Sequence, residues 1–228
     1  MATAKQGTRA TTVLPPRISV RVRKPVGRPK RAPVETNTRS AILEAALESL
    51  AENAFDHESL ASIAARAGVS QPLVNYHFAT KEALWRESVS SAFTRLRGAI
   101  DVALASVPES SKDKPLERVL TALMTGVATT PAVSVVFFNE SARATTRFRW
   151  VVGSQIAPIV KVLERVLCET KFRADEDARR HTVLAMLASA CFLPASTRLH
   201  AFLTGRRRPR KDDEGAYART VLRAFAHA

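Results

Sequence analysis

The chain has 228 residues, 46% of them apolar and 25% charged, which supplies a sizeable core and excludes global disorder. Of its net charge of +14, eight units sit in residues 1–36 and five in residues 206–211, leaving one for the rest; so basic a balance points to nucleic acid, or less often to an anionic membrane surface. The longest apolar run, Val183 to Ala195, falls short of the roughly 20 residues of a bilayer span, and no G-x-G-x-x-G, Gly-Lys-Ser/Thr, G-x-S-x-G or H-E-x-x-H occurs, so the commonest marks of membrane, nucleotide-binding and hydrolytic proteins are missing.

Residues 1–36 are rich in Pro, Arg, Lys, Thr and Val without periodicity and read as a disordered basic arm. From Asn37 to the end the spacing is helical and strand signals are almost absent, so the expected fold is all-α with about nine helices. Asn37 or Thr38 caps a first helix running to about Asn53, with Ile42, Ala46, Leu47 and Leu50 on one face. Ser59 caps a second (about 60–67), Ser70 a third (71–77), and Thr80 a fourth from Lys81 to about Val107. A fifth covers about 116–128, a sixth 132–145, and a seventh 147–170, with Pro158 kinking or splitting it. Asp175 opens an eighth that continues to about Leu203 despite Pro194, and a ninth spans 212–227. Cys168 and Cys191 have neither a zinc nor a disulfide spacing and read as small buried hydrophobes.

Residues 60–78 are the informative stretch. Ile63, Ala64 and Ala67 form the inner face of a short helix, and the small alanines let a second axis approach steeply. Gly68 stands where the chain must turn, since glycine takes positive φ without strain. Val69 plugs the junction, and Val74 and Phe78 face inward from the next helix. This is the logic of a helix-turn-helix. The second helix then exposes Gln71, Leu73, Asn75, Tyr76 and His77, groups suited to base edges and phosphates. Ser70 caps its N-terminus, whose free amides suit a phosphate, and Pro72 falls in the first turn, where a missing N–H costs little.

Residues 38–87 resemble the DNA-binding domain of the TetR family of transcriptional regulators. The resemblance rests on Ile42-Leu43-Glu44-Ala45-Ala46, then Ile63-Ala64-Ala65-Arg66-Ala67-Gly68-Val69-Ser70, Tyr76-His77-Phe78 and Lys81-Glu82-Ala83-Leu84, spaced without a gap. It implies a recognition helix at 71–77 lying in the major groove, with Tyr76, His77 and Lys81 on backbone phosphates. Thr38 and Ser59 would add backbone contacts, and Phe78 would be core. It also implies a domain order of arm (1–36), helix-turn-helix domain (37–85) and helical effector-binding and dimerisation domain (86–228). Two positions depart from the family pattern. Asn75 stands where many members carry Tyr, and Ala54 replaces the usual glycine after the first helix, so that Asn53 would serve as the helix stop.

Within the arm, Gly27-Arg28-Pro29 followed by Lys30 and Arg31 looks like the core of an AT-hook, an extended segment fitted to a narrow A·T minor groove. A non-specific phosphate-binding tail is the other reading. Arg206 to Lys211 reads as a solvated loop or as a second contact to DNA or an acidic partner. In the C-terminal half, Phe137, Phe138, Trp150 and Met186 either line a cavity or are simply core, with Glu140, Gln155 and His181 as polar candidates beside them. By resemblance these seven would hold an unidentified small-molecule effector, and residues 175–203 and 212–227 would pair with a second copy. The expected protein is a cytoplasmic homodimeric repressor that is not an enzyme, needs no cofactor or metal, meets no membrane and leaves a palindromic operator on effector binding. The alternative is a constitutive or architectural DNA-binding protein.

Overall fold

Helical propensity is realised almost everywhere in the computed structural model, which describes residues 32–52, 55–106, 114–142, 144–168, 175–205 and 211–226; all secondary structure in them is helical. In chain order the helices are α1 (Ala32–Ala51), α2 (Leu60–Arg66), α3 (Gln71–His77), α4 (Lys81–Ala105), α5 (Pro115–Thr129), α6 (Ala132–Ser141), α7 (Thr146–Trp150), α8 (Ala157–Cys168), α9 (Glu176–Ala195), α10 (Thr197–Thr204) and α11 (Lys211–Ala226). Among the described residues the nine expected helices become eleven because two of them break.

The first break is a π-helical turn, Val151–Ile156, between α7 and α8. The Ala157 amide donates to the Val152 carbonyl, five residues back. Pro158 explains the change of register: it has no N–H for the carbonyl of Ser154, and its ring would clash there, so the widened turn absorbs the conflict. The second break follows Pro194, and Ser196 separates α9 from α10. Gly205 then ends α10 at φ +66, a left-handed stop.

The start of α1 is a correction. The helix begins at Ala32, so residues 32–36 are helical rather than arm, and Asn37 and Thr38 lie inside the helix rather than at its cap. Pro33 is compatible with this, since proline is tolerated in a first turn. Three other caps form as expected: Ser59 Oγ accepts the Ser62 amide and Thr80 Oγ1 the Ala83 amide, both at 3.0 Å, and Asp175 Oδ1 accepts the Ala178 amide at 2.7 Å; Ser70 takes the N-cap position of α3 without such a bond. Asn53, Ala54, Arg143 and residues 206–210 lie outside the described residues. So do Arg28, Lys30 and Arg31, and with them the AT-hook-like segment.

The core runs without interruption from α1 to α9. Ile42, Ala45, Ala46 and Leu50 of α1 meet Ile63 and Ala64 of α2 and Val74 of α3, closing a three-helix unit. Helix α4 is the shared spine, burying Leu84, Trp85, Val89, Phe93, Leu96 and Ile100. Its tightest neighbour is α5, where a Cβ on Gly126 would stand 2.7 Å from Leu96 Cδ1 and 3.2 Å from the Leu96 carbonyl oxygen. Gly126→Ala is therefore expected to lower stability by about 1–3 kcal/mol through overpacking. Urea unfolding checks it; an unchanged or raised midpoint would show that α4 and α5 can part freely.

Cys191 is buried as expected, and burial pushes its thiol up to about 12. Cys168 is instead exposed at the end of α8. Helix α11 spends apolar surface on its own subunit: Val221 and Phe225 pack on the core, and the Tyr217 hydroxyl donates to the Ser189 carbonyl at 2.8 Å. Exposed large apolar side chains gather on α9 and α10: Leu184, Phe192, Leu199, Phe202 and Leu203. No single described helix is long and apolar enough to cross a membrane.

Candidate nucleic-acid interface

The α2–turn–α3 unit is built from local chemistry. Gly68 adopts φ +68, the conformation a side chain would strain. The Val69 amide donates to the Ala64 carbonyl at 3.0 Å, fastening the turn to α2. On α3, Val74 and the following Phe78 are fully buried, whereas Ser70, Gln71, Pro72, Asn75 and Tyr76 are exposed. Gln71 and Asn75 are one turn apart and share a face. Tyr76 is 74% exposed and meets the His77 ring edge-on at 5.2 Å. Two side chains expected on that face are only half outside: Leu73 is half-buried, and His77 turns a buried Nε2 with no hydrogen-bond partner into the protein. Ser70 occupies the N-cap position without a side-chain cap bond, which leaves its hydroxyl outward. Helix α3 carries no Lys, Arg, Asp or Glu.

Other expected contact residues are engaged inside the protein. The Lys81 ammonium donates to the carbonyls of Asp56 (3.0 Å) and Glu58 (2.7 Å) and lies 5.2 Å from the Phe55 ring centre. It ties the first turn of α4 to the α1–α2 turn. Ser59 is exposed, but its hydroxyl oxygen serves α2. Thr38 is half-buried. Beside them Arg66 holds Glu52 and Glu58 at 3.1 and 2.8 Å, pinning α2 to the end of α1 and the turn after it.

The C-terminal half meets this unit at a junction that sequence reasoning missed. Arg147 of α7 donates from Nη1 to Asp56 (2.9 Å) and from Nε to Glu82 (2.8 Å), while its guanidinium lies 4.4 Å from the Trp85 ring centre. The hydrogen bond from Arg147 holds the Asp56 carboxyl below its usual range, against a smaller opposing effect of burial. Trp150 packs against Trp85 at 5.7 Å, and Arg86 lies 5.0 Å over Trp150 while donating to Glu82 at 3.0 Å. A cleft of about 160 Å³ opens alongside, lined by Leu50, Phe55, Asp56, His57, Trp85, Val135, Val136, Asn139 and Glu140. A second, of about 410 Å³, adjoins Asp56, Glu82, Arg86, Glu140 and Arg147. Of the seven effector candidates, Glu140 alone lines these clefts. Trp150 belongs to the aromatic stack, Met186 is fully buried and His181 is exposed. Phe137 and Phe138 form an edge-on pair at 5.2 Å. Gln155 is buried in the π turn, its Oε1 without a partner. Neither of these two clefts holds more than one of the seven.

Residues 42–87 match the family model described as bacterial regulatory proteins, tetR family. The likeness to that family lies in these N-terminal residues, which hold the α2–turn–α3 unit. Over 82 residues it is 28% identical to the HTH-type transcriptional regulator BetI of Escherichia coli O127:H6, covering 36% of this chain and 42% of that protein. BetI of the K12 strain matches over the same length at the same identity. The chain thus spans less than half the length of the curated relatives it matches. Among solved structures, the fatty acid degradation regulator FadR of Bacillus halodurans aligns with a TM-score of 0.63 at 17% identity, covering 86% of this chain and 95% of that one. A TetR-like transcriptional regulator from Rhodococcus sp. RHA1 gives 0.58 at 17%, over 84% and 97%. At such identities the likeness concerns the fold alone, and it extends beyond the N-terminal match into the helical C-terminal half.

Proposed function

We propose that this chain is a member of the TetR family and a sequence-specific, DNA-binding transcriptional regulator that acts as a homodimeric repressor and leaves its operator when a small molecule binds. The observation that carries this reading is the exposed face of α3. Gln71, Asn75 and Tyr76 stand outward on a helix anchored by Val74 and Phe78, and side-chain amides are the groups that read adenine bidentately in the major groove. The names of the curated relatives, as transcriptional regulators, agree with it. Two such helices about 34–36 Å apart would meet successive major grooves, which asks for a dimer and a palindromic site. The exposed apolar strip on α9 and α10, with Phe202 84% and Leu203 73% exposed, supports pairing through that side. Specificity would come from the nearly uncharged α3. Affinity and salt dependence would come from the basic arm, with Arg28, Lys30 and Arg31 in the minor groove.

Selection of bound duplexes from a random pool, with the full chain and with residues 1–31 removed, tests the reading. The full chain is expected to yield a palindrome with an A·T-rich flank. Removal of the arm is expected to erase the flank, weaken binding and reduce the slope of log affinity against log salt by about 0.9 for each phosphate that the arm no longer neutralises. Failure to enrich any sequence would overturn the reading of α3; an unchanged slope would remove the arm from it.

A further inference from the structure

The junction around Arg147 does more than join two halves of a core. Among the described ion pairs, those that reach from beyond α4 into the first three helices and the start of α4 all belong to Arg147. One partner, Asp56, sits in the α1–α2 turn, whose carbonyl also receives Lys81. The other, Glu82, lies in the first turn of α4, where the helix dipole favours a carboxylate. Only three residues separate α3 from α4, so the first turn of α4 carries the recognition helix with it. The arginine is seated flat: two carboxylates fix its edge and Trp85 its face, a planar fit that a lysine ammonium cannot reproduce. Yet the side chains of Asp56 and Glu82 are 58% and 42% exposed, and exposed pairs add little to overall stability. An arrangement that orients strongly and stabilises weakly is suited to setting a position.

We propose that Arg147 is a positioning residue for DNA binding, a clasp that holds the α1–α2 turn and the first turn of α4 in the arrangement at which the α3 face engages DNA, and whose opening loosens that arrangement. The clasp rests on the reading of α3 as the recognition helix. It also says how the clefts beside it are coupled to α3. A cationic molecule entering beside Glu140, Asp56 and Glu82 would compete with Arg147 for Asp56 and Glu82, and the arginine's release would leave the bonds of Lys81 to hold α4 to the turn.

The test uses the full chain and the duplex that the wild type selects from a random pool. Arg147→Gln removes the charge while keeping the bulk, and is expected to weaken binding to that duplex about tenfold, within the usual range of coupling between sites. The midpoint of thermal unfolding should move by only a few degrees. Asp56→Asn should weaken binding in the wild type and add little in the Arg147→Gln background, and Arg147→Lys should recover part of the loss. Both tryptophans of the chain lie in the clasp, so the emission of the folded variant should change as well. A second measurement needs no DNA: amide exchange in α3 and the first turn of α4 should accelerate in Arg147→Gln, while α9 keeps its protection. Affinity within twofold of wild type, or a loss matched by general unfolding, would overturn the clasp. If the wild type selects no duplex, the DNA-binding reading fails, and the exchange result alone decides whether Arg147 holds the turn and α4 together.

Discussion

Replacing Phe78 by alanine is expected to cost about 3–5 kcal/mol of folding stability, a large part of the roughly 5–15 kcal/mol available to a domain. Phe78 follows the last residue of α3, its amide donates to the Val74 carbonyl at 2.8 Å, and its ring is 1% exposed. It joins the same buried cluster as Ile42, Ile63 and Leu84, so its removal opens a cavity where α3 meets the spine. Arg39 lies over the ring at 5.1 Å and would be left without that stacking partner. Urea denaturation followed by circular dichroism should show a lower midpoint with an unchanged slope. A loss below about 1 kcal/mol would mean that the neighbours collapse into the space and that Phe78 does not hold α3.

The second large effect concerns binding and leaves folding alone. Gln71→Ala and Asn75→Ala each remove an exposed amide, so each should alter stability by no more than about 0.5 kcal/mol. A good bidentate contact to a base is worth about 1–3 kcal/mol, so each substitution should weaken binding to the selected duplex about 5- to 150-fold. The loss should be confined to particular base pairs: duplexes altered at the position read by Asn75 should bind the Asn75→Ala protein as well as the selected one does. Titration of a panel of single-base variants checks this. A loss that is uniform across the panel would assign the residue to the phosphate backbone, and no loss would show that α3 does not read bases through this face.

How much of this was legible from the chain follows the distance over which each feature acts. The turn at Gly68, the caps Ser59 and Thr80, and the inward set Ile63, Ala64, Val74 and Phe78 are local, each depending on neighbours a few residues away. All were readable and all formed. Lys81 was not readable in the same way. A lysine in a first turn resembles a phosphate contact until the carbonyls of Asp56 and Glu58 fold against it from 25 and 23 residues away. The clasp is more remote still, since Arg147 meets Glu82 and Asp56 across separations of 65 and 91 residues. Its only trace in the sequence is two tryptophans, each near an arginine, and nothing in their spacing predicts that they stack. That only Glu140 among the effector candidates lines these two clefts has a related reason. In an all-helical half, Phe137, Met186 and Trp150 have the same apolar signature whether they line a hollow or fill one. The beginning of α1 was hidden by composition: a helix that opens on Pro33 beside basic residues has the texture of an arm.

The π turn ahead of Pro158 gives the rod from α7 to α8 one residue of slack. Each residue of an α-helix advances it about 1.5 Å and rotates it about 100°. If the turn closed to α geometry, α7 would be wound by one such step relative to α8, like a screw advanced part of a thread. Arg147 and Trp150 ride on the short end of that screw, while α8 is seated in the core through Ile159, Val160, Leu163 and Leu167. A change of register in the middle of a helix is thereby a change of azimuth at its tip, and the tip is one place where the two halves of the molecule touch.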